Sequence, residues 1–206
     1  CNHPSAAALS TAMRRAEQWT LTHQDHTGDW GGIMPAMMNS VLALVSLGYR
    51  LNSPPVAKGL GAIERFGIET AETFRLQSCV SPVWDTVLSI TALADSGLPR
   101  THPDVRRAIQ WVVSKQVLHE GDWKVKNRRG QPGGWSFEFN NDFYPDNDDT
   151  AAVLIALHKA GLPDEEKGEV LQRGLQWLLS MQCDDGGWGA FDVNNNKAIL
   201  NKIPFA

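Results

Sequence analysis

The stretch Gln172–Trp188, QRGLQWLLSMQCDDGGW, decides the reading of this chain, because it joins a helical pattern to a loop signature that recurs. Leu171, Gly174, Leu175 and Leu178 fall at helical spacing, the mark of an amphipathic helix with one buried stripe. The helix gives way to Gln182-x3-Gly186-x-Trp188. Arg14–Trp30, RRAEQWTLTHQDHTGDW, repeats the arrangement, and Arg106–Trp123, RRAIQWVVSKQVLHEGDW, repeats it with one extra residue. In each copy a tryptophan (Trp19, Trp111, Trp177) lies five positions before a glutamine (Gln24, Gln116, Gln182). In the middle copy Val105, Ala108, Ile109 and Val112 form the stripe.

A second pattern alternates with the first. Ser81–Pro99, SPVWDTVLSITALADSGLP, superposes without a gap on Tyr144–Pro163, YPDNDDTAAVLIALHKAGLP, from Asp85-Thr86 on Asp149-Thr150 to Gly97-Leu98-Pro99 on Gly161-Leu162-Pro163. Met34–Tyr49 is a weaker relative. Ser, Asp or Pro at the start and Gly-x-Pro at the end are helix boundary signals. The run Ala151–Leu157 is short enough for a buried strand, but its alanines and flanking caps favour a buried helix. One amphipathic and one mostly apolar helix per unit, repeating at about 65 residues, predicts an all-α architecture of stacked helix pairs, of the solenoid or closed-ring type. The apolar helices form an inner layer and the amphipathic helices an outer one. The repeat units span approximately residues 10–50, 78–123 and 142–190. Each Gly-Trp loop is expected to pack its tryptophan on the preceding glutamine and helix end, as a structural staple without chemistry.

Composition narrows the partners. A hydrophobic fraction of 42% is enough for a core, and a net charge of −4 with mixed signs leaves no basic stripe for nucleic acid or anionic lipid. Cys1, Cys79 and Cys183 are widely spaced, form no CxxC pair and read as free thiols. No apolar run approaches the ~20 residues that span a bilayer, and no signal peptide opens the chain. A start at Cys1 and an end at NKIPFA without a helix stop read as an internal piece of a longer protein.

The candidate chemistry lies in YPDNDDTAAVLIAL, Tyr144–Leu157, where Asp146, Asp148 and Asp149 precede an apolar helix. One aspartate suffices to cap a helix, and three exceed that need. A calcium loop requires glycine at its sixth position, where Ala151 stands. A diphosphate-magnesium motif requires a further acid after Asp149, and zinc requires a convergent Cys/His set; neither is present nearby. Clustered carboxylates do not all ionise cheaply, so one retains its proton under the control of its neighbours. Such a cluster at the end of an inner helix can hold a strong acid against an apolar cavity, which suits a hydrocarbon.

These residues resemble the squalene-hopene cyclases among the triterpene cyclases. PDNDDTA is similar to their D-x-D-D-T-A protonation motif, and the Q-x3-G-x-W segments to their repeated glutamine-tryptophan motifs. SPVWDT, GGWSFEFNN and GGWGAFDVNNNKAILNKIPF match characteristic stretches of that family in the expected order, so that the resemblance covers nearly the whole chain. It implies that residues 1–206 belong to a single α/α-barrel (toroid) catalytic domain of a larger two-domain enzyme, acting on squalene without metal or organic cofactor. It further implies a monotopic enzyme on the cytoplasmic side of a bacterial membrane, a homodimer in some relatives, whose product is hopene or hopanol. Asp148 is then the proton donor to the terminal alkene, with Asp146 and Asp149 holding and tuning it. Trp84, Phe137 and Phe191 take the places of aromatics that stabilise carbocations by cation-π attraction, and Phe205 matches a residue at the substrate entrance.

The chain departs from that pattern at Met34, where relatives often carry Gln, and at Glu138, where many also carry Gln. The family's histidine partner of the catalytic acid has no counterpart among His3, His23, His26, His102, His119 and His158, which read as surface residues. Two other readings stand beside this one: a diterpene cyclase using the same acid motif on a diphosphate substrate, and a non-catalytic helical-repeat scaffold in which the acids are caps. The first asks for basic residues on the inner helices, which carry few; the second predicts no saturable apolar pocket. Sterol-forming oxidosqualene cyclases usually place Cys where Asp148 stands.

Overall fold

The computed structural model describes residues 5–161 and 164–195. Seven α-helices account for most of them: α1 (Ala6–Thr22), α2 (Met34–Ser46), α3 (Pro54–Arg65), α4 (Pro82–Asp95), α5 (Pro103–Ser114), α6 (Asn147–Ala160) and α7 (Asp164–Ser180). A 3₁₀ turn at Asp122–Val125 and a hairpin of two short strands, β1 (Gly67–Glu69) and β2 (Phe74–Leu76), complete the elements. The chain packs as two compact units, Cys1–Ser81 and Pro82–Ala206.

In the first unit α2 and α3 pack on each other over a core of Met37, Val41, Leu44, Val56, Ala62 and Phe66. Proline in the first turn of α3 and the Gly48 left-handed turn (φ 97°) after α2 mark the boundaries physically. Helix α3 escaped the sequence reading because it carries neither the tryptophan nor the glutamine of the repeat. The hairpin escaped it too, since its strands are three residues each; they pair Gly67 with Leu76 and Glu69 with Phe74. The chain then returns to the loop before α2, where Met34 N donates to Ser78 O (2.9 Å) and Val80 N to Gly32 O (3.0 Å).

In the second unit α4 packs on α5 and α6, and α6 on α7. Val83, Val87 and Ile90 from α4, Val105, Ile109 and Val112 from α5, and Val153, Ala156 and Leu157 from α6 make one core. The buried stripe of α7 is Val170, Gly174, Trp177 and Met181, rotated from the expected one; Leu175 is exposed and Leu171 and Leu178 are half-buried. The reason lies at Gly174, where an added Cβ would meet Trp135 Cζ3 at 2.7 Å. That glycine is a notch for the ring, and it fixes which face of α7 turns inward. Gly59 on α3 receives Trp30 in the same way, with Cζ3 2.9 Å from a Cβ there.

The loops do staple the helices, and their hydrogen bonds correct the middle repeat. Gln24 Nε2 donates to Gly28 O (3.0 Å) and Gln182 Nε2 to Gly186 O (2.8 Å), while Trp30 Nε1 donates to Thr20 O and Trp188 Nε1 to Leu178 O (both 2.8 Å). In the middle copy Gln116 Nε2 donates to Gly133 O (2.8 Å) and Trp135 Nε1 to Val112 O (2.8 Å). The partner of Gln116 is therefore Gly133-x-Trp135, seventeen positions on rather than four, and not Gly121-x-Trp123. Trp123 belongs to an insertion whose 3₁₀ turn brings its ring edge-on to Trp177, centroids 6.0 Å apart. Both of those tryptophans are fully buried. The first two loops also reach forward: Gln24 to Pro55 O (2.8 Å) on α3 and Gln116 to Val170 O (3.0 Å) on α7.

Candidate active site

Helix α6 begins where it does because of the acids themselves. Asp146 is the N-cap, its Oδ1 accepting from Asp149 N at 2.7 Å. Asp146 N donates to Trp135 O (3.0 Å), and Trp135 N donates to Thr150 Oγ1 (2.9 Å). The corrected repeat loop thus docks on the first turn of α6, and the insertion supports it from behind. Tyr144 OH donates to Asp122 Oδ2 (2.7 Å), and Asp122 N donates to Phe143 O (3.1 Å).

The three acids meet different environments on that one turn. Asp146 and Asp149 are buried, at 2% and 1% exposure, whereas Asp148 between them is exposed. Burial is the main cause that pushes the Asp146 carboxyl up to about 9, with the adjacent Asp149 charge adding to it. Burial likewise raises Asp149, to about 6, against a hydrogen bond with Asp146 that lowers it. Both shifts run upward, so at neutral pH the buried carboxyls retain a proton as a pair.

Asp148 faces a cavity of about 530 Å³, lined also by Asn147, Ala151, Leu178, Trp188, Gly189 and Ala190. Apart from Asp148 and Asn147 that lining is hydrocarbon, indole and backbone. Among the described residues no group of three or more His, Cys, Asp or Glu is placed to hold a metal ion. The turn thus sets an exposed carboxyl group beside a mostly apolar cavity, with two buried carboxyl groups next to it.

The expected aromatic residues divide. Phe191 directly follows the cavity wall and meets Tyr144 edge-on, centroids 6.1 Å apart. Trp84 on α4 and Phe137 in the loop after Trp135 are half-buried and are not among the residues lining this cavity. Phe205 lies outside the described residues. Sequence reasoning missed Leu178 and Ala151 as lining residues, and it assigned Trp188 to structure alone although its ring also walls the cavity. The available signal was proximity to the acid motif in the repeat register, which the middle insertion obscured. Glu138 is buried at 3% exposure.

Comparison with known proteins adds an independent observation. Sequence models of the squalene-hopene cyclase family match almost the whole chain, the N-terminal domain at residues 2–72 and the C-terminal domain at residues 80–206. The chain belongs to the squalene-hopene cyclase family. Within that triterpene cyclase family, it is 40% identical over 205 residues to the squalene–hopene cyclase of Alicyclobacillus acidocaldarius, covering 98% of this chain and 32% of that protein. It is 45% identical over 195 residues to the dammaradiene synthase of Dryopteris crassirhizoma, covering 94% of this chain and 28% of the synthase. It is also 45% identical over 205 residues to a terpene cyclase-glycosyl transferase fusion protein of Humicola fuscoatra, covering 95% of this chain and 15% of the fusion. The chain thus spans less than a third of each of these relatives. The seam between the two domain matches, residues 73–79, lies at the end of the first compact unit. No helix among the described residues is long and apolar enough to cross a membrane.

Proposed function

We propose that the protein containing this chain is a protonation-initiated triterpene cyclase that converts squalene to hopene or its hydrated alcohol, with Asp148 as the proton donor. The observation that carries the reading is the separation of roles on one helical turn: an exposed acid facing an apolar cavity, and a buried proton-sharing pair beside it. The Asp148 O–H proton passes to a terminal alkene carbon, the π electrons forming the new C–H bond and leaving a tertiary cation. Successive alkenes attack in turn, and loss of a proton or addition of water ends the sequence. The cavity must stabilise positive charge without supplying a nucleophile, which hydrocarbon and aromatic walls do. The net negative charge of the Asp146–Asp149 pair lies on the turn where the first cation develops. Trp84, Phe137, Phe191 and Phe205 are proposed as the aromatic stabilisers, each as the family pattern places it. The repeat units are proposed as parts of one toroidal catalytic domain, and association with one face of a membrane and with a second copy belongs to the same reading.

The test is Asp148→Asn in the full-length protein, assayed for squalene turnover by gas chromatography of the products. Loss of turnover by at least a thousandfold is expected, and retained activity would overturn the assignment. Turnover is expected of the full-length protein and not of these 206 residues alone.

A further inference from the structure

We infer that Asn147, the residue between the first two acids, is a positioning residue that holds the Gly189–Ala190 part of the cavity lining in place relative to Asp148. This rests on the proposed protonation at Asp148. Asn147 is the first residue of α6 and 5% exposed. It is not the cap, since Asp146 fills that role. Instead its backbone N–H donates to Ala190 O (2.9 Å), and its side-chain Nδ2 donates to Gly189 O across 42 residues of sequence. Gly189 and Ala190, with Trp188 before them, line the same cavity as Asp148.

The side chain is polar where packing alone favours an apolar residue. Its Oδ1 is buried and without a partner among the described residues, a burial penalty that an aliphatic side chain would avoid. What the amide provides in exchange is the bond to Gly189 O, and that bond fixes the orientation of the amide, because the reverse orientation would set two acceptors against each other. Two tethers from one residue therefore pin the wall to the turn that bears the acid. The segment beyond has separate supports, Phe191 against Tyr144 and Lys126 Nζ to Asp192 Oδ2 at 2.9 Å, but these do not touch the lining backbone. An alkene in that cavity is held for proton transfer from Asp148 only while the wall stays in place, and displacement by about 1 Å is enough to slow a positioned reaction about a hundredfold.

The experiment is steady-state kinetics on the full-length enzyme with squalene, comparing the parent, Asn147→Ala and Asn147→Ser, alongside Asp148→Asn. Asn147→Ala is expected to lower kcat at least tenfold with KM changed less than threefold, to leave the midpoint of the pH–rate profile in place, and to increase incompletely cyclised products. Asn147→Ser keeps a hydroxyl donor of shorter reach and is expected to fall between the parent and alanine. Melting temperatures recorded in parallel restrict the comparison to folded enzyme. If alanine matches the parent within twofold in kcat and product pattern, or serine is no better than alanine, the tether has no positioning role. If Asp148→Asn stays active, the protonation reading itself falls, and the two failures are thereby told apart.

Discussion

Asp146 is a carboxyl that the fold keeps neutral, and this makes stability depend on pH in a definite direction. An unfolded chain releases the Asp146 and Asp149 protons near the ordinary value of 3.8, whereas the folded chain holds them to about 9 and about 6. Between those limits the folded state binds more protons, so the contribution of each group is greatest below pH 4 and is lost as pH rises, by about 1.4 kcal/mol per pH unit for each retained proton. Both groups act up to about 6, and Asp146 alone above that. Asn at position 146 keeps a cap oxygen for Asp149 N and cannot ionise. Asp146→Asn is therefore expected to gain stability relative to the parent steadily as pH rises between about 6 and about 9 in urea titrations. A difference between the two proteins that does not change with pH would contradict a buried neutral Asp146.

The helix pair and its loop are the units that the sequence exposes most clearly, and also where it misleads. Caps and stops located α2, α4 and α6, because Pro, Asp and left-handed Gly leave local marks. Partnering across a loop leaves none, so the sequence points to Gly121-x-Trp123 whereas the bonds of Gln116 and Trp135 select Gly133-x-Trp135. The acid motif was legible for the same reason as the caps, being contiguous; the wall that Asn147 holds was not, since it comes from residues 189 and 190. The glutamines give a graded test of the loop. Gln116 is buried, its Nε2 serving Gly133 O and Val170 O while its Oε1 accepts from Arg173 Nε at 3.3 Å. Gln182 is exposed and serves Gly186 O. Gln116→Ala orphans buried carbonyls and is expected to lower unfolding free energy by about 2–4 kcal/mol, against under about 1 kcal/mol for Gln182→Ala. Chemical denaturation of the two variants measures the contrast, and equal losses would mean that the middle loop is no better anchored than the last.

At the scale of the whole chain, each unit leaves apolar helix faces open. In the first, Met38, Leu42 and Val45 of α2 are exposed opposite its buried Met37, Val41 and Leu44. In the second, Leu88 of α4, Ile155 of α6, and Leu175 and Leu179 of α7 are exposed. Helices apolar on both sides are made for contact on both sides. The 206-residue chain on its own is expected to bind a hydrophobic dye such as anilinonaphthalene sulfonate and to self-associate in sedimentation runs, both reversed by non-ionic detergent. A dye-silent, monodisperse chain would show that these faces are closed in some other way. The long reach of Asn147 has a consequence in time as well as in space. Helix α6 forms from local bonds within about a microsecond, but its tie to Gly189 closes a loop of 42 residues, and such closures come later and carry an entropic penalty. During synthesis α6 leaves the ribosome before the chain that covers it exists. The carboxyls of its first turn thus begin as hydrated surface groups, and the acid site is the last part of the helix to mature.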